Sequence, residues 1–167
     1  MSDFLNLLER LVGADVDFVI VGGFAGVVHG CTFVTQDIDI CCDFSPANLF
    51  RLQRAISDLH PVHRMTPGRK KLKLTEKTCG QFKNLYLDTD IGQLDCVSFV
   101  AGVGDYMEVK KASELVEVQN MQICVLGLDA LIKAKRAMNR PRDREAILQL
   151  EAIKRLKSSR WRRRRAF

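Results

Sequence analysis

The sequence lacks the features of membrane-spanning, secreted and zinc-binding proteins. No run approaches the ~18 consecutive apolar residues of a membrane-spanning helix. The start, MSDFLNLLERL, has acids where a signal peptide has basic residues. The six cysteines form no C-x-x-C pair, so the ligand spacing of a zinc site is absent. We therefore expect a cytoplasmic protein with no membrane partner and with reduced, mostly buried thiols.

The sequence also has few aromatic residues and no internal repeat. Aromatic residues make up 7 % of the 167 positions, whereas 47 % are hydrophobic and 28 % are charged, which is a globular composition. At this length a chain buries roughly 70 % of its extended surface in one domain. We predict a single domain over residues 1–157 and a basic C-terminal tail over residues 158–167.

The positive charge is unevenly distributed. The formal net charge is +6, from 26 Lys and Arg against 20 Asp and Glu, and residues 151–167 alone carry +7. Residues 1–50 and 84–109 are acidic, whereas residues 51–83 carry +7. The tail either binds RNA phosphates, with Trp161 stacking on a base, or is a solubilising end.

The spacing of apolar residues predicts alternating helices and strands. Helices are predicted over residues 3–12, 24–29, 46–60, 128–138 and 143–156. Strands are predicted over residues 18–21, 37–43, 82–87 and 91–99, with one or two more in 113–125. Leu72 and Leu74 alternate with lysines and indicate an edge strand, and residues 102–106 form a Gly-rich turn. This order predicts an α+β fold, a mixed sheet flanked by helices.

Two adjacent glycines, Gly22 and Gly23, separate the first predicted strand from a helix. Without a Cβ, such a turn lets backbone N–H groups approach an anion, and the helix adds the positive end of its dipole. The alternative is a tight turn without a ligand.

Asp37 and Asp39 stand two residues apart on a predicted strand. Residues at this spacing share one face, roughly 6.5 Å apart, and two carboxylates there can bind one hard cation or bridge two Mg²⁺ ions. A solvent-exposed polar face is the alternative, although Ile38 and Ile40 indicate that the other face is buried.

Asp95 stands alone in an apolar strand, between Leu94 and Cys96. An isolated buried charge is costly, so Asp95 needs a partner or a metal unless it faces water from an edge strand.

Together these features resemble the nucleotidyltransferase superfamily of the DNA polymerase β type. The resemblance is closest to small bacterial nucleotidyltransferase-like toxin proteins associated with abortive infection, and it covers about residues 15–150. The matching residues are Val21, Gly22, Gly23, Ala25, His29, Gly30, Thr35, Asp37 and Asp39, with Leu131, Ile132, Lys135, Arg142 and Asp143 near the C-terminus. Such sequences often carry an Arg where this chain has Phe33.

The resemblance implies Mg²⁺-dependent transfer of a nucleotide from a nucleoside triphosphate to an acceptor hydroxyl, on a minimal nucleotidyltransferase fold. Asp37 and Asp39 would bind two Mg²⁺ ions, and Asp95 would bind the ion at the attacking oxygen. These three carboxylates would be the catalytic residues.

The triphosphate would be held by the backbone N–H groups of Gly22 and Gly23, and Lys135 would contact it from the late helix. Alternatively, Lys135 lies on a solvated helix face together with Lys133. We interpret His29 as a helix-end or packing residue rather than a base.

The acceptor is left open between RNA such as tRNA, a protein hydroxyl and a small molecule. The basic segment 51–83 would flank the acidic site and meet RNA, or it is a solvated surface. Two other functions fit the same fold: a catalytically weak nucleotide- or RNA-binding module, and a toxin–antitoxin interaction subunit with an antitoxin partner.

Overall fold

The computed structural model describes the backbone of residues 2–164 and the side chains of residues 3–159. The helices are α1 (Ser2–Gly13), α2 (Gly22–His29), α3 (Pro46–Ile56), α4 (Glu76–Cys79), α5 (Tyr106–Lys111), α6 (Leu128–Met138) and α7 (Asp143–Arg164). The strands are β1 (Phe18–Ile20), β2 (Asp37–Cys42), β3 (Val62–His63), β4 (Asn84–Thr89), β5 (Gly92–Val97), β6 (Phe99–Val100), β7 (Gly104–Asp105), β8 (Ser113–Val118) and β9 (Met121–Leu126). Mixed strands flanked by helices confirm the predicted α+β class.

One seven-stranded sheet organises the fold, in the order β3-β4-β5-β2-β1-β9-β8. Strand β2 pairs parallel with β5, and β1 pairs parallel with β9. The remaining pairs in this sheet are antiparallel. Strands β6 and β7 form a separate hairpin. The predicted strand carrying Asp37 and Asp39 therefore lies in the middle of the sheet, beside the strand that carries Asp95.

The core is built on the apolar alternation of the central strands. Ile38 and Ile40 are fully buried, and because side chains alternate along a strand they lie opposite the face of Asp37 and Asp39. The largest fully buried side chains come from helices and strands alike: Leu7, Leu8, Leu11, Ile20, Ile38, Ile40, Leu49, Leu52, Ile56, Leu85, Leu87 and Leu94. Helix α1 packs on α3, and α6 packs on α2 and α7. Along residues 2–164, each helix is too short or too polar to cross a membrane.

The predicted edge strand at Leu72 and Leu74 is wrong. Both leucines are buried, but among the described residues this segment forms one isolated bridge, between Val62 and Lys71. Strand β3 is only two residues long, so it is too short to pair with the whole segment. The Leu74 N–H donates instead to Gln53 Oε1 at 2.6 Å. The alternation of leucine and lysine therefore marks an irregular segment with one side in the core.

Residues 113–125 form two strands, joined at Gln119 and Asn120, whose φ angles of 46° and 68° suit a tight hairpin turn. Residues 106–111 form a helix that the sequence did not predict, begun by Asp105, whose side chain accepts from the Glu108 N–H. Helix α7 passes the predicted domain end at residue 157 and continues to Arg164, so the division into 1–157 and 158–167 stays a prediction. Residues 165–167 of the predicted tail lie outside the described residues.

A buried amide joins the beginning of β1 to the end of β2. Asn48 is fully buried, and its Nδ2 donates to the backbone oxygens of Asp17 and Asp43 at 3.0 and 2.7 Å. Its Oδ1 accepts from the Asp17 N–H at 2.7 Å and from Arg51 at 3.1 Å. These bonds hold the two strands that lead into the site.

Replacing this amide should destabilise the fold. Asn48→Ala removes the acceptor of the Asp17 N–H and the side-chain donor to the Asp43 oxygen, both part-buried, so we expect the free energy of unfolding to fall by about 2–4 kcal/mol. Asn6→Ala, which removes an exposed amide on α1, should change it by less than about 0.5 kcal/mol. Urea denaturation of both variants measures the difference, and equal losses would contradict the assignment.

Candidate active site

The pairing of β2 with β5 brings three carboxylates together. Asp39 lies directly opposite Asp95 in the parallel ladder, and Asp37, two residues earlier, shares the same face. One carboxylate oxygen from each residue lies within 4.8 Å of the other two. Asp95 is only 7 % exposed and lies between β2 and β4, so the alternative of an edge residue facing water is wrong. The three predicted metal ligands thus form one cluster.

The glycine turn packs against this cluster. Gly22 has φ +63°, and a Cβ placed there would lie 1.9 Å from Asp39 Oδ2. The Gly23 N–H donates to the same oxygen at 3.4 Å, and the Val21 N–H donates to the Asp39 backbone oxygen at 2.9 Å. Helix α2 begins at Gly22 with no side-chain cap from Val21, so its first N–H groups point into the site. The turn is therefore closely packed against Asp39, and its predicted role in holding an anion stays a prediction.

Thr35 restrains the first carboxylate. Its hydroxyl lies 2.9 Å from the Asp37 backbone oxygen and 3.3 Å from Asp37 Oδ1, and it donates to them. A Cβ on Gly23 would lie 2.9 Å from Thr35 Oγ1, so the turn and the threonine are closely packed. The spacing of Thr35 and Asp37, two residues apart, places the hydroxyl beside this carboxylate.

Crowding of negative charge changes the titration of the site. Burial and the neighbouring Asp37 carboxylate raise the pKa of Asp39 to about 6, against a weaker lowering by the Gly23 N–H. Burial also raises the pKa of Asp95, although the Arg64 guanidinium opposes this. Carboxylates with raised pKa values that lie within reach of one cation are a donor set suited to a hard metal ion.

Arg64 contacts Asp95 directly. Its Nη2 donates to both Asp95 oxygens, each at 2.7 Å. No pattern in the sequence singles out this arginine, because it lies 31 residues from Asp95 in an irregular basic segment. The signal in the sequence is Asp95 itself, because a lone acid in a buried strand requires a partner. The sequence does not specify where in the chain that cationic partner lies.

A second group of cations lies across the site, on α6 and in the turn before α7. Lys135 is buried, with Nζ 3.3 Å from Asp143 Oδ1 and 5.8 Å from the centre of the Phe33 ring. The solvated-face alternative for Lys135 is therefore wrong, whereas Lys133 is exposed. The contact of Lys135 with a triphosphate stays a prediction.

Arg140 is the other member of this second group. No pattern in the sequence predicts it as a site residue. Its Nε and Nη2 donate to Asp143 Oδ2 and Oδ1 at 2.6 and 3.0 Å. Burial alone would raise the pKa of Asp143, but the Arg140 hydrogen bond and the Lys135 charge outweigh it and lower that pKa. The positive charge of Arg140 also favours ionisation of Asp39.

His29 takes a packing role. It is buried at the end of α2, with Nε2 2.7 Å from the Leu126 backbone oxygen and Nδ1 3.4 Å from Glu114. This confirms its interpretation as a helix-end and packing residue.

A cavity of about 680 Å³ joins these groups. Its lining includes the glycine turn, the three carboxylates, Lys135 and Arg140. Its lining also includes Val34 and Phe99, which are 91 % and 61 % exposed. A cavity of this size holds a ligand of several hundred daltons and presents both charged and apolar side chains to it.

The mixed sheet flanked by helices is similar to the fold of solved nucleotidyltransferase structures. LnuA, a lincosamide antibiotic adenylyltransferase solved with lincomycin bound, is 14 % identical with a TM-score of 0.62; the match covers 92 % of this chain and 97 % of that one. ANT(2")-Ia, solved in complex with adenylyl-2"-tobramycin, is 13 % identical with a TM-score of 0.56, over 95 % and 96 % of the two chains.

TM1012, a candidate nucleotidyltransferase from Thermotoga maritima, is 19 % identical with a TM-score of 0.52, over 94 % of this chain and 88 % of that one. No protein-family model and no curated protein sequence matches the chain. At these identities the likeness establishes the fold, which is that of nucleotidyltransferases. The closer resemblance to abortive-infection toxins stays a prediction.

Adding a methyl group at Gly22 should disrupt the site. Gly22→Ala places a Cβ on the Asp39 carboxylate at a positive φ, so we expect a loss of about 2–4 kcal/mol in unfolding free energy. Gly13→Ala is the matched control, because a Cβ there meets nothing within 4 Å. Denaturation curves of both variants measure the loss of stability, and the Mg²⁺-induced shift in melting temperature measures the disruption of the site. A Gly22→Ala protein with wild-type stability would contradict the packing described.

Neutralising Asp39 should stabilise the metal-free protein at neutral pH. Because its pKa is raised in the folded state, the contribution of Asp39 to stability is present near pH 4 and is lost as the pH rises through about 6. Asp39→Asn should therefore raise the unfolding free energy by up to about 3 kcal/mol at pH 8 and little at pH 4.

Denaturation at both pH values in metal-free buffer tests this sign. Glu117→Gln, an exposed acid on β8, should show no such pH dependence. A variant that is less stable than the wild type at pH 8 would contradict the repulsion described.

Proposed function

We propose that this protein is a Mg²⁺-dependent nucleotidyltransferase that moves a nucleotide from a nucleoside triphosphate to an acceptor hydroxyl. The observation that carries the proposal is the cluster of Asp37, Asp39 and Asp95 beside the Gly22–Gly23 turn. Carboxylates held together and backbone N–H groups aimed at the same point suit a metal-bound polyphosphate.

The donor set fits magnesium. All three groups that converge are carboxylates, the ligands that Mg²⁺ prefers, and burial together with the neighbouring Asp37 charge raises the pKa of Asp39. Asp37 and Asp39 would hold both ions, and Asp95 would hold the ion on the acceptor side. Bound magnesium would offset charge on the attacking and leaving oxygens.

The chain itself supplies binding and orientation. The backbone N–H groups of Gly22 and Gly23 would hold the triphosphate, with Lys135 and Arg140 adding positive charge from the other wall. The acceptor oxygen bonds to the α-phosphorus, the bond to the β-phosphate oxygen breaks, and pyrophosphate leaves. The ion held by Asp95 would lower the pKa of the acceptor hydroxyl, whose proton would pass to solvent water.

A small hydroxylated molecule is the acceptor that we favour. The cavity has apolar side chains, Val34 and Phe99, beside its charged part. Two solved structures of this fold that match nearly the whole chain are those of LnuA with lincomycin and of ANT(2")-Ia with adenylyl-2"-tobramycin. These likenesses support a small-molecule acceptor without identifying it.

RNA is the other acceptor class with an observation in its favour. Five lysines of the basic segment have exposed side chains: Lys70, Lys71, Lys73, Lys77 and Lys83. They are placed around β3 and β4, on the side of the sheet beyond Asp95. An exposed basic surface favours contact with RNA phosphates.

A catalytically weak nucleotide-binding module is the second candidate function. The Arg64 guanidinium already occupies both oxygens of Asp95, which favours a site that binds nucleotide without completing the reaction. A toxin–antitoxin role, an antitoxin partner and a cytoplasmic location stay predictions from the sequence.

Transfer of label tests these functions. The protein is incubated with Mg²⁺ and each α-³²P-labelled nucleoside triphosphate, together with total tRNA, a panel of hydroxylated small molecules, or no added acceptor. We expect label on a small molecule, and we expect Asp39→Asn and Asp95→Asn to lower the rate at least about a hundredfold.

Asp90→Asn serves as the control, because this exposed acid pairs with His60 outside the cluster and its loss should leave the rate unchanged. Label on tRNA would assign the RNA acceptor instead. Nucleotide binding without any transfer would favour the weak binding module, and full activity of Asp39→Asn would contradict the site itself.

A further inference from the structure

The contact between Arg64 and Asp95 divides the three carboxylates into two kinds. Asp37 accepts from the Thr35 hydroxyl and Asp39 accepts from the Gly23 N–H, both neutral donors. Asp95 alone of the three is bonded to a cationic side chain, through both of its oxygens. A cation that approaches the cluster therefore meets two carboxylates with no hydrogen-bonded cation and one that is already paired.

The position of Arg64 is set by the sheet. Its backbone N–H donates to the Tyr86 oxygen at 2.8 Å, and Tyr86 lies opposite Asp95 in the ladder of β4 and β5. The His63 N–H donates to the Lys70 oxygen at 2.8 Å, which closes the loop over residues 64–69. The backbone of Arg64 is thus anchored beside the site, and its side chain is the part that can change partner.

The guanidinium is incompletely satisfied where it lies. Among the described residues, Arg64 Nη1 is buried and has no hydrogen-bond partner, while Nη2 serves both carboxylate oxygens. A guanidinium normally meets a carboxylate with two nitrogens, so this contact uses only part of its donors. The attraction to the Asp95 charge holds the pair, and a competing cation weakens that attraction.

We propose that Arg64 makes metal binding at Asp95 depend on the nucleotide, because its guanidinium occupies that carboxylate until a bound triphosphate adds negative charge and oxygen ligands to the site. Arg64 is a positioning residue in this proposal. The site then assembles in order: the nucleotide enters with a metal ion at Asp37 and Asp39, and the ion at Asp95 follows. This inference rests on the proposed function.

Manganese titration tests the order of assembly. Free Mn²⁺ is followed by electron paramagnetic resonance as it is added to the full chain, with and without a non-hydrolysable α,β-methylene triphosphate. We expect Arg64→Gln to tighten the weaker Mn²⁺ site of the nucleotide-free protein by about five- to tenfold, and to change it less than about twofold once the analogue is bound. Arg64→Lys, which keeps the charge with a single ammonium, should lie between Arg64→Gln and the wild type.

Arg69→Gln is the matched control. Arg69 lies in the same loop and pairs with Asp88 on β4, which is outside the carboxylate cluster. Its variant should bind Mn²⁺ as the wild type does. If Arg64→Gln does not fold, as judged by its melting curve, Arg64→Lys decides the question through the same comparison.

The outcomes separate this inference from the proposed function. In one outcome, the wild-type protein binds Mn²⁺ in the presence of the analogue, but Arg64→Gln does not tighten Mn²⁺ binding in the absence of the analogue. This outcome overturns only the role of Arg64. Equal tightening with and without the analogue overturns it as well. Wild-type protein that binds no Mn²⁺ even with the analogue overturns both proposals.

Discussion

Repulsion among three carboxylates on one face of the sheet is the constraint on which the rest of the site depends. The parallel register places Asp39 opposite Asp95, and the pleat adds Asp37, so their charges cannot separate without breaking the central ladder. The cost appears in Asp39, whose pKa burial and Asp37 raise to about 6. Gly22 leaves room for the Asp39 carboxylate where any side chain would collide with it.

Neutralisation of this charge comes from distant segments of the chain. Arg64, after β3, bonds to Asp95 from one side, and Arg140, before α7, lends its charge to Asp39 from the other. Arg140 is itself held by Asp143, which also receives Lys135. The acids of the site therefore lie in central strands, while its cations lie in irregular segments and near helix ends.

Phe33 shows how one departure from the expected motif is accommodated. Its ring packs on α2 so closely that a Cβ on Gly26 would lie 2.6 Å from it, and Lys135 Nζ lies 5.8 Å from its centre. An arginine at this position would bring a charge into the cavity wall. In this chain the positive charge on that wall comes from Lys135 and Arg140.

The sequence by itself determined the fold class, the glycine turn and the carboxylate pair, because each is a local pattern: period-two alternation around Asp37, and two glycines between a strand and a helix. It also flagged Asp95 as a charge in need of a partner. Only the tertiary structure decided that Asp95 meets Asp39, because strand register depends on packing across the sheet. Tertiary structure also decided that Arg64 and Arg140 face the acids, and that Leu72 and Leu74 enter the core without a strand. These contacts join residues far apart in the chain, and no local pattern specifies them.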